Sequence, residues 1–162
     1  MDLVYIGDIV NTHGLKGELR ILSSFSPKEE IFKPNFCFYI EKKPYKIKTY
    51  RKHKNYDMIT LEGFDTIESV LFLKGKSVYI NRDDIDSSLL LESDYLHMDV
   101  YSNRGNRGRV VSILKGVAYN YLEVNFKQKT YYVPLIPTFI DKVIKDKNQV
   151  WIHEIEGLID EN

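Results

Sequence analysis

The sequence predicts a mainly β protein built as two small β-barrels joined by a short linker. Short apolar or alternating runs recur along the chain at the close spacing of small barrels. Only residues 66–73 carry helical spacing. One polar, turn-rich stretch, residues 81–93, contains Asp83, Asp84, Asp86, Ser87 and Ser88 and separates two series of runs. The expected division is a first domain at 1–85, a linker at 86–93 and a second domain at 94–162.

In the first series the expected strands cover residues 3–10, 17–25, 36–40, 45–50, 57–61 and 77–80. Between the first two lies a glycine-bracketed loop, Asn11-Thr12-His13-Gly14-Leu15-Lys16-Gly17. Gly14 and Gly17 permit a sharp turn that presents His13 and Lys16. This is not a phosphate-cradling P-loop, which needs GxxxxGK[ST] between a strand and a helix, because an alternating strand follows. The helix at 66–73 has Thr66 as its cap, Ile67, Val70 and Leu71 at helical spacing, and Gly75 as its stop. In the second series strands are expected at 98–101, 109–114, 121–126, 130–133 and 149–155, with a short helical turn near 137–140.

The chain has 162 residues and a formal net charge of zero, with 23 basic and 23 acidic side chains, so total charge does not mark it for nucleic acid. Residues 1–85 hold 14 Lys and Arg against 12 Asp and Glu, too small a difference to matter. What matters is local density: Lys42, Lys43, Lys46, Lys48, Arg51, Lys52 and Lys54 follow one another with no acid between them. Cys37 is the only cysteine, so no disulfide can form within the chain, and it is expected in the core. The opening Met1-Asp2-Leu3 lacks a basic leader and no apolar run can span a bilayer, so a cytoplasmic protein without membrane contact is expected. The four histidines, His13, His53, His97 and His153, form no metal-ligand spacing, and neither a metal nor another cofactor is expected.

Strict alternation in 45–50 sends Tyr45, Ile47 and Thr49 to one face and Lys46, Lys48 and Tyr50 to the other. With Arg51 and Lys52, the cationic face suits RNA phosphates, and Tyr50 suits stacking on an unpaired base. The alternative is a solvated edge strand whose lysines resist aggregation. His13 could be imagined beside Ser23 or Ser24 and Asp8 as a hydrolytic triad. No sharp nucleophile turn surrounds either serine, so no catalysis is expected and the loop reads as one set for binding.

In the second half, Asn103-Arg104-Gly105-Asn106-Arg107-Gly108-Arg109 reads as a hairpin tip. Arg104 and Arg107 either decorate a tight turn or present guanidinium forks to a partner. Tyr119 and Tyr121 offer aromatic surface, with one of them expected in the core. Trp151 alternates with Val150 and Ile152 as a half-buried anchor and a candidate interface residue.

The segment Ile9-Val10-Asn11-Thr12-His13-Gly14-Leu15-Lys16-Gly17-Glu18-Leu19-Arg20-Ile21 resembles the start of the RimM family of ribosome maturation factors. Three later blocks also resemble that family: Glu62 to Lys76, Val78 to Asp84, and Val133-Pro134-Leu135-Ile136-Pro137 with Glu156-Gly157-Leu158-Ile159. The resemblance implies a translation-factor-like N-terminal barrel and a PRC-type C-terminal barrel. It also implies a monomeric, non-enzymatic assembly factor that binds the head of the immature small (30S) ribosomal subunit and promotes its maturation. Its implied partners are ribosomal protein S nineteen and adjacent 16S rRNA. His13, Lys16, Lys46, Lys48, Tyr50, Arg51 and Lys52 are then the candidate RNA and subunit contacts, and Arg104, Arg107, Tyr119, Tyr121 and Trp151 the candidate protein contacts. The family's adjacent aromatic pair appears here as Leu90 and Leu91, so no stacking role carries over to those positions. The alternative is a general RNA-binding or translation-accessory barrel without a dedicated protein partner.

Overall fold

The computed structural model describes residues 1–160 and divides into two compact units between Leu89 and Leu90. The first unit is a closed six-stranded barrel. Its strands are β1 (Leu3–His13), β2 (Glu18–Leu22), β3 (Cys37–Ile40), β4 (Lys43–His53), β5 (Tyr56–Leu61) and β6 (Ser77–Asn81), in the order β1-β2-β5-β4-β3-β6. Strand β1 is long enough to pair with both β2 and β6. Register shifts between Tyr5 and Gly7 and between Ile9 and Asn11 bend it to serve both neighbours, which closes the sheet. Alternate residues Leu19, Ile21, Phe38, Ile40, Ile47, Ile59, Leu61, Val78 and Ile80 are buried and fill the interior. Each such side chain contributes about 1.5–3 kcal/mol by leaving water.

A four-residue helix, α1 (Ile67–Val70), and a 3-10 turn at Leu71–Leu73 cover one part of this barrel with Val70 and Leu73. Thr66 caps α1 by accepting the Ser69 amide proton. The segment between β2 and β3 contains a 3-10 turn, Lys28–Glu30, and adds Ile31, Phe32 and Phe36 to the core. Expected strands at 17–25 and 3–10 have different limits in the structure: β2 ends at Leu22, and β1 runs on to His13, leaving only four residues in the loop. Cys37 is half-buried at the start of β3 rather than in the core.

The second unit holds β7 (Asp99–Ser102), β8 (Gly105–Leu114), β9 (Tyr121–Phe126), β10 (Lys129–Pro134), β11 (Ile140–Ile144) and β12 (Gln149–Ile152). They form one sheet ordered β10-β9-β8-β7-β12-β11. All pairs are antiparallel except β12 with β7. Tyr131 and Val133 from one edge share a core cluster with Val100, Val110, Leu122, Val124, Val150 and Ile152, and Ile140 and Val143 from the other edge pack against it, so the sheet rolls around its own interior. Strand β11 has no counterpart in the sequence reading. Ahead of it, residues 136–140 make a single turn in which the amides of Phe139 and Ile140 both donate to the Ile136 carbonyl. Strand β12 ends at Ile152, three residues short of the expected limit. Leu91, placed by the sequence in a polar linker, is buried in the second unit, and its amide donates to Asp94.

Candidate nucleic-acid interface

The ends of two hairpins, β1–β2 and β4–β5, meet on the outer face of the first barrel. Strand β5 lies between β2 and β4, so residues 13–20 and 51–56, far apart in sequence, share one surface. His13 and His53 approach to 6.1 Å between ring centroids. Glu18 accepts two hydrogen bonds from the Arg51 guanidinium, at 2.8 Å from Nε and 2.7 Å from Nη2. That fork holds the Glu18 carboxyl below the usual carboxylate range, with smaller help from the charges of Arg51, His13 and His53 against an opposing burial effect. Arg20 lies over the Tyr56 ring at 5.1 Å and donates to Nδ1 of His13 at 3.0 Å. Sequence reasoning named His13 and Arg51 but missed Arg20, His53 and Tyr56. The signal for Arg20 was its alternation with Glu18 along β2, which puts both on one face.

The loop that carries Lys16 is braced from below. The Ile67 amide donates to the Leu15 carbonyl at 2.9 Å. Gly17 has φ +80°, and a Cβ there would stand 2.5 Å from the Phe64 carbonyl oxygen. Lys16 is exposed at this rigid tip.

Along β4, Lys46 and Lys48 are exposed and Ile47 is buried between them, as alternation requires. A register shift between Ile47 and Thr49 then breaks the pattern. Thr49 emerges on the surface, where its hydroxyl shares a hydrogen bond with Thr60 at 2.6 Å, and Tyr50 turns inward. Tyr50 therefore does not share a face with Lys46 and Lys48. Its ring packs 5.4 Å from that of Phe32, and its hydroxyl donates to the buried carboxylate of Asp57. Lys52 reaches the same carboxylate at 3.5 Å, and Lys48 reaches Asp65 at 3.3 Å. The exposed cationic surface is thus Lys16, Lys46, Lys48 and Arg51, with His13 and His53 at its end; Lys52 alternates onto the face of Tyr50, toward Asp57, and leaves this surface.

The imagined triad is not assembled. Asp8 accepts from the Tyr5 hydroxyl at 2.7 Å and from the Ser77 hydroxyl at 2.9 Å, while the Ser23 hydroxyl donates to the Ile6 carbonyl. His13 Nδ1 is taken by Arg20. Among the described residues no cluster of His, Cys, Asp and Glu could hold a metal ion, and no helix is long and apolar enough to cross a membrane.

In the second unit the five candidates separate. Arg107 is buried, at 6% exposure, and forks onto Glu154 at 2.7 and 3.0 Å, so it is a structural residue and not a partner contact. Burial of a guanidinium needs such a carboxylate, and Glu154 also takes the Ser102 hydroxyl at 2.9 Å. Arg104 is exposed beside the same carboxylate at 3.6 Å. Tyr119 and Tyr121 stand 5.3 Å apart, one exposed and one half-buried, so neither is in the core. Asn120 anchors their loop by donating to Glu92 at 2.7 Å and accepting from the Gly116 amide at 3.3 Å. Trp151 is half-buried, stacked on Tyr101 at 5.3 Å with the Lys142 ammonium 5.0 Å from its ring centroid. Strands β8 and β7 lie between Tyr121 on β9 and Trp151 on β12, so the tyrosine pair and the tryptophan are separate features.

The family model described as RimM N-terminal domain matches residues 4–85. The ribosome maturation factor RimM of Ligilactobacillus salivarius is 34% identical, over 98% of this chain and 99% of the relative. That of a Staphylococcus aureus strain is 32% identical, over 97% and 99%. A solution structure of the N-terminal domain of RimM from Thermus thermophilus aligns at TM-score 0.47 and 23% identity, covering 53% of this chain and 96% of that one. The two sequence relationships span almost the entire chain in both directions, and on them the chain belongs to the RimM family of ribosome maturation factors.

Proposed function

We propose that this chain is a non-enzymatic assembly factor that binds the head of the immature 30S subunit and promotes its maturation in the cytoplasm. Ribosomal protein S nineteen and the neighbouring 16S rRNA are the two partners. One observation carries the RNA half: the hairpin ends and β4 place Lys16, Lys46, Lys48 and Arg51 on one outer surface of a closed barrel, with His13 among them. A row of exposed cations on a rigid strand neutralises successive phosphates without a cleft. The protein half falls to the second unit, where the anchored pair Tyr119 and Tyr121 offers aromatic area. Trp151 with Lys142, and the exposed Arg104, are further candidate contacts.

Two modest contacts on one chain act as one stronger contact when both partners are present. Such a factor promotes maturation by binding an intermediate better than the finished subunit, since only differential affinity shifts a population. The test is a pull-down of S nineteen by the pure protein at low and moderate salt, beside binding to naked 16S rRNA. Retention of S nineteen at moderate salt supports the assembly-factor reading. Binding to any RNA that vanishes with salt, without capture of S nineteen, would instead make the chain a general RNA-binding module.

A further inference from the structure

Arg20 is half-buried on the outer face of β2, between the Tyr56 ring and the imidazole of His13. Its Nη2 stands 3.0 Å from His13 Nδ1. A guanidinium has only protons to give, so Nδ1 must supply the lone pair. The single proton of the neutral ring then sits on Nε2. Tyr56 covers the planar fork of Arg20, with its ring centroid 5.1 Å from the guanidinium carbon, and favours this placement.

We propose that Arg20 is the positioning residue for His13: it fixes the imidazole as the Nε2–H tautomer and so makes His13 a neutral hydrogen-bond donor to a phosphate oxygen of RNA. This deepens the RNA-binding reading above and rests on it for the identity of the acceptor. The surface supplies the setting. His53 stands 6.1 Å away, and Arg51 forks onto Glu18 rather than onto the ring, which leaves Arg20 as the cation in direct contact with His13. A fixed donor beside a cation recognises a phosphate oxygen by direction as well as by charge, which Lys16 or Lys46 on a flexible stem cannot do.

The test uses the full chain, labelled with nitrogen-15, and a long-range proton–nitrogen correlation spectrum of the histidine rings near neutral pH. The wild type should show His13 with a bare Nδ1 and a protonated Nε2. In Arg20→Met, which removes the donor and keeps an unbranched side chain, the ring should relax to a mixture of the two tautomers. Binding to immature small subunits at fixed salt is measured alongside. His13→Gln, whose amide nitrogen falls where Nε2 was, should bind within about twofold of wild type, whereas His13→Asn and Arg20→Met should each bind about tenfold more weakly. A wild-type ring protonated at Nδ1 overturns the proposal even if every variant fails to fold. So does a folded Arg20→Met with unchanged tautomer and affinity. If the wild type does not bind immature subunits at all, the assembly-factor reading and the phosphate contact fail together, and the spectrum alone decides whether Arg20 sets the tautomer.

Discussion

The hydroxyl of Tyr50 donates to Asp57 at 2.7 Å, and Asp57 is fully buried. Lys28 Nζ lies 2.5 Å from the other oxygen of that carboxylate, and Lys52 approaches the first at 3.5 Å. Burial pushes the Tyr50 phenol up to about 12, with the Asp57 hydrogen bond and charge adding to the effect. A residue that reads from sequence as a base-stacking aromatic is therefore part of the barrel's internal support. Asp57→Ala should destabilise the first unit by about 2–4 kcal/mol, because it leaves a phenol and an ammonium without their acceptor, while Tyr50→Phe should cost about 1 kcal/mol. Urea unfolding followed by far-ultraviolet circular dichroism measures both, and equal costs would contradict the assignment of Asp57 as the hub.

Gly14 and Gly17 bracket the same loop with φ of +73° and +80°, yet their surroundings differ. A Cβ at Gly14 meets open space, whereas one at Gly17 strikes the Phe64 carbonyl. Gly14→Ala should cost about 1 kcal/mol from backbone conformation alone. Gly17→Ala carries that strain plus displacement of the loop from Phe64, and should lower the melting temperature by clearly more. Identical melting temperatures for the two variants would show that the loop is not braced there.

Glu18 links acid sensitivity to the hairpin contact. Its folded-state carboxyl is held below the ordinary value of 4.5, first by the Arg51 hydrogen bond. A depressed carboxyl contributes stability above its unfolded value and loses it as pH falls through the folded one. Glu18→Gln should therefore be less stable than wild type at neutral pH and converge with it as pH falls through the depressed folded-state carboxyl, below the ordinary 4.5. Thermal melts across that range decide the matter; parallel curves would mean that the pair makes no net contribution.

Charge reversal at β4 must respect the existing pairs. Arg51→Glu would set two carboxylates against each other beside Glu18, so its effect mixes folding with binding. Lys46, exposed, belongs to neither ion pair, and Lys48 meets only the exposed Asp65. The double variant Lys46→Glu, Lys48→Glu should keep its melting temperature within a few degrees. Its affinity for small subunits should fall at least tenfold at low salt, and its log–log salt slope should shrink by about two. A folded double variant with an unaltered slope would remove these lysines from the interface.

Much of the first barrel was legible because period-two alternation marks half-buried strands directly, as in Phe38 to Ile40 and Val78 to Ile80. Tyr50 was misplaced because one bulge residue inverts every later side chain in β4, and nothing in the local sequence marks the bulge. Arg107 was read as surface because a buried ion pair depends on Glu154, 47 residues away. Strand β11 escaped because Asp141 and Lys142 are both exposed and interrupt its apolar pattern. His53 and Arg20 joined the candidate surface only when β5 placed the two hairpins side by side.

Co-sedimentation of the pure protein with immature and mature small subunits, at low and moderate salt, decides whether the chain acts as an assembly factor. Binding should prefer immature subunits, survive moderate salt and weaken in the Lys46→Glu, Lys48→Glu variant. Equal binding to both kinds of subunit, lost on raising salt, would contradict that role.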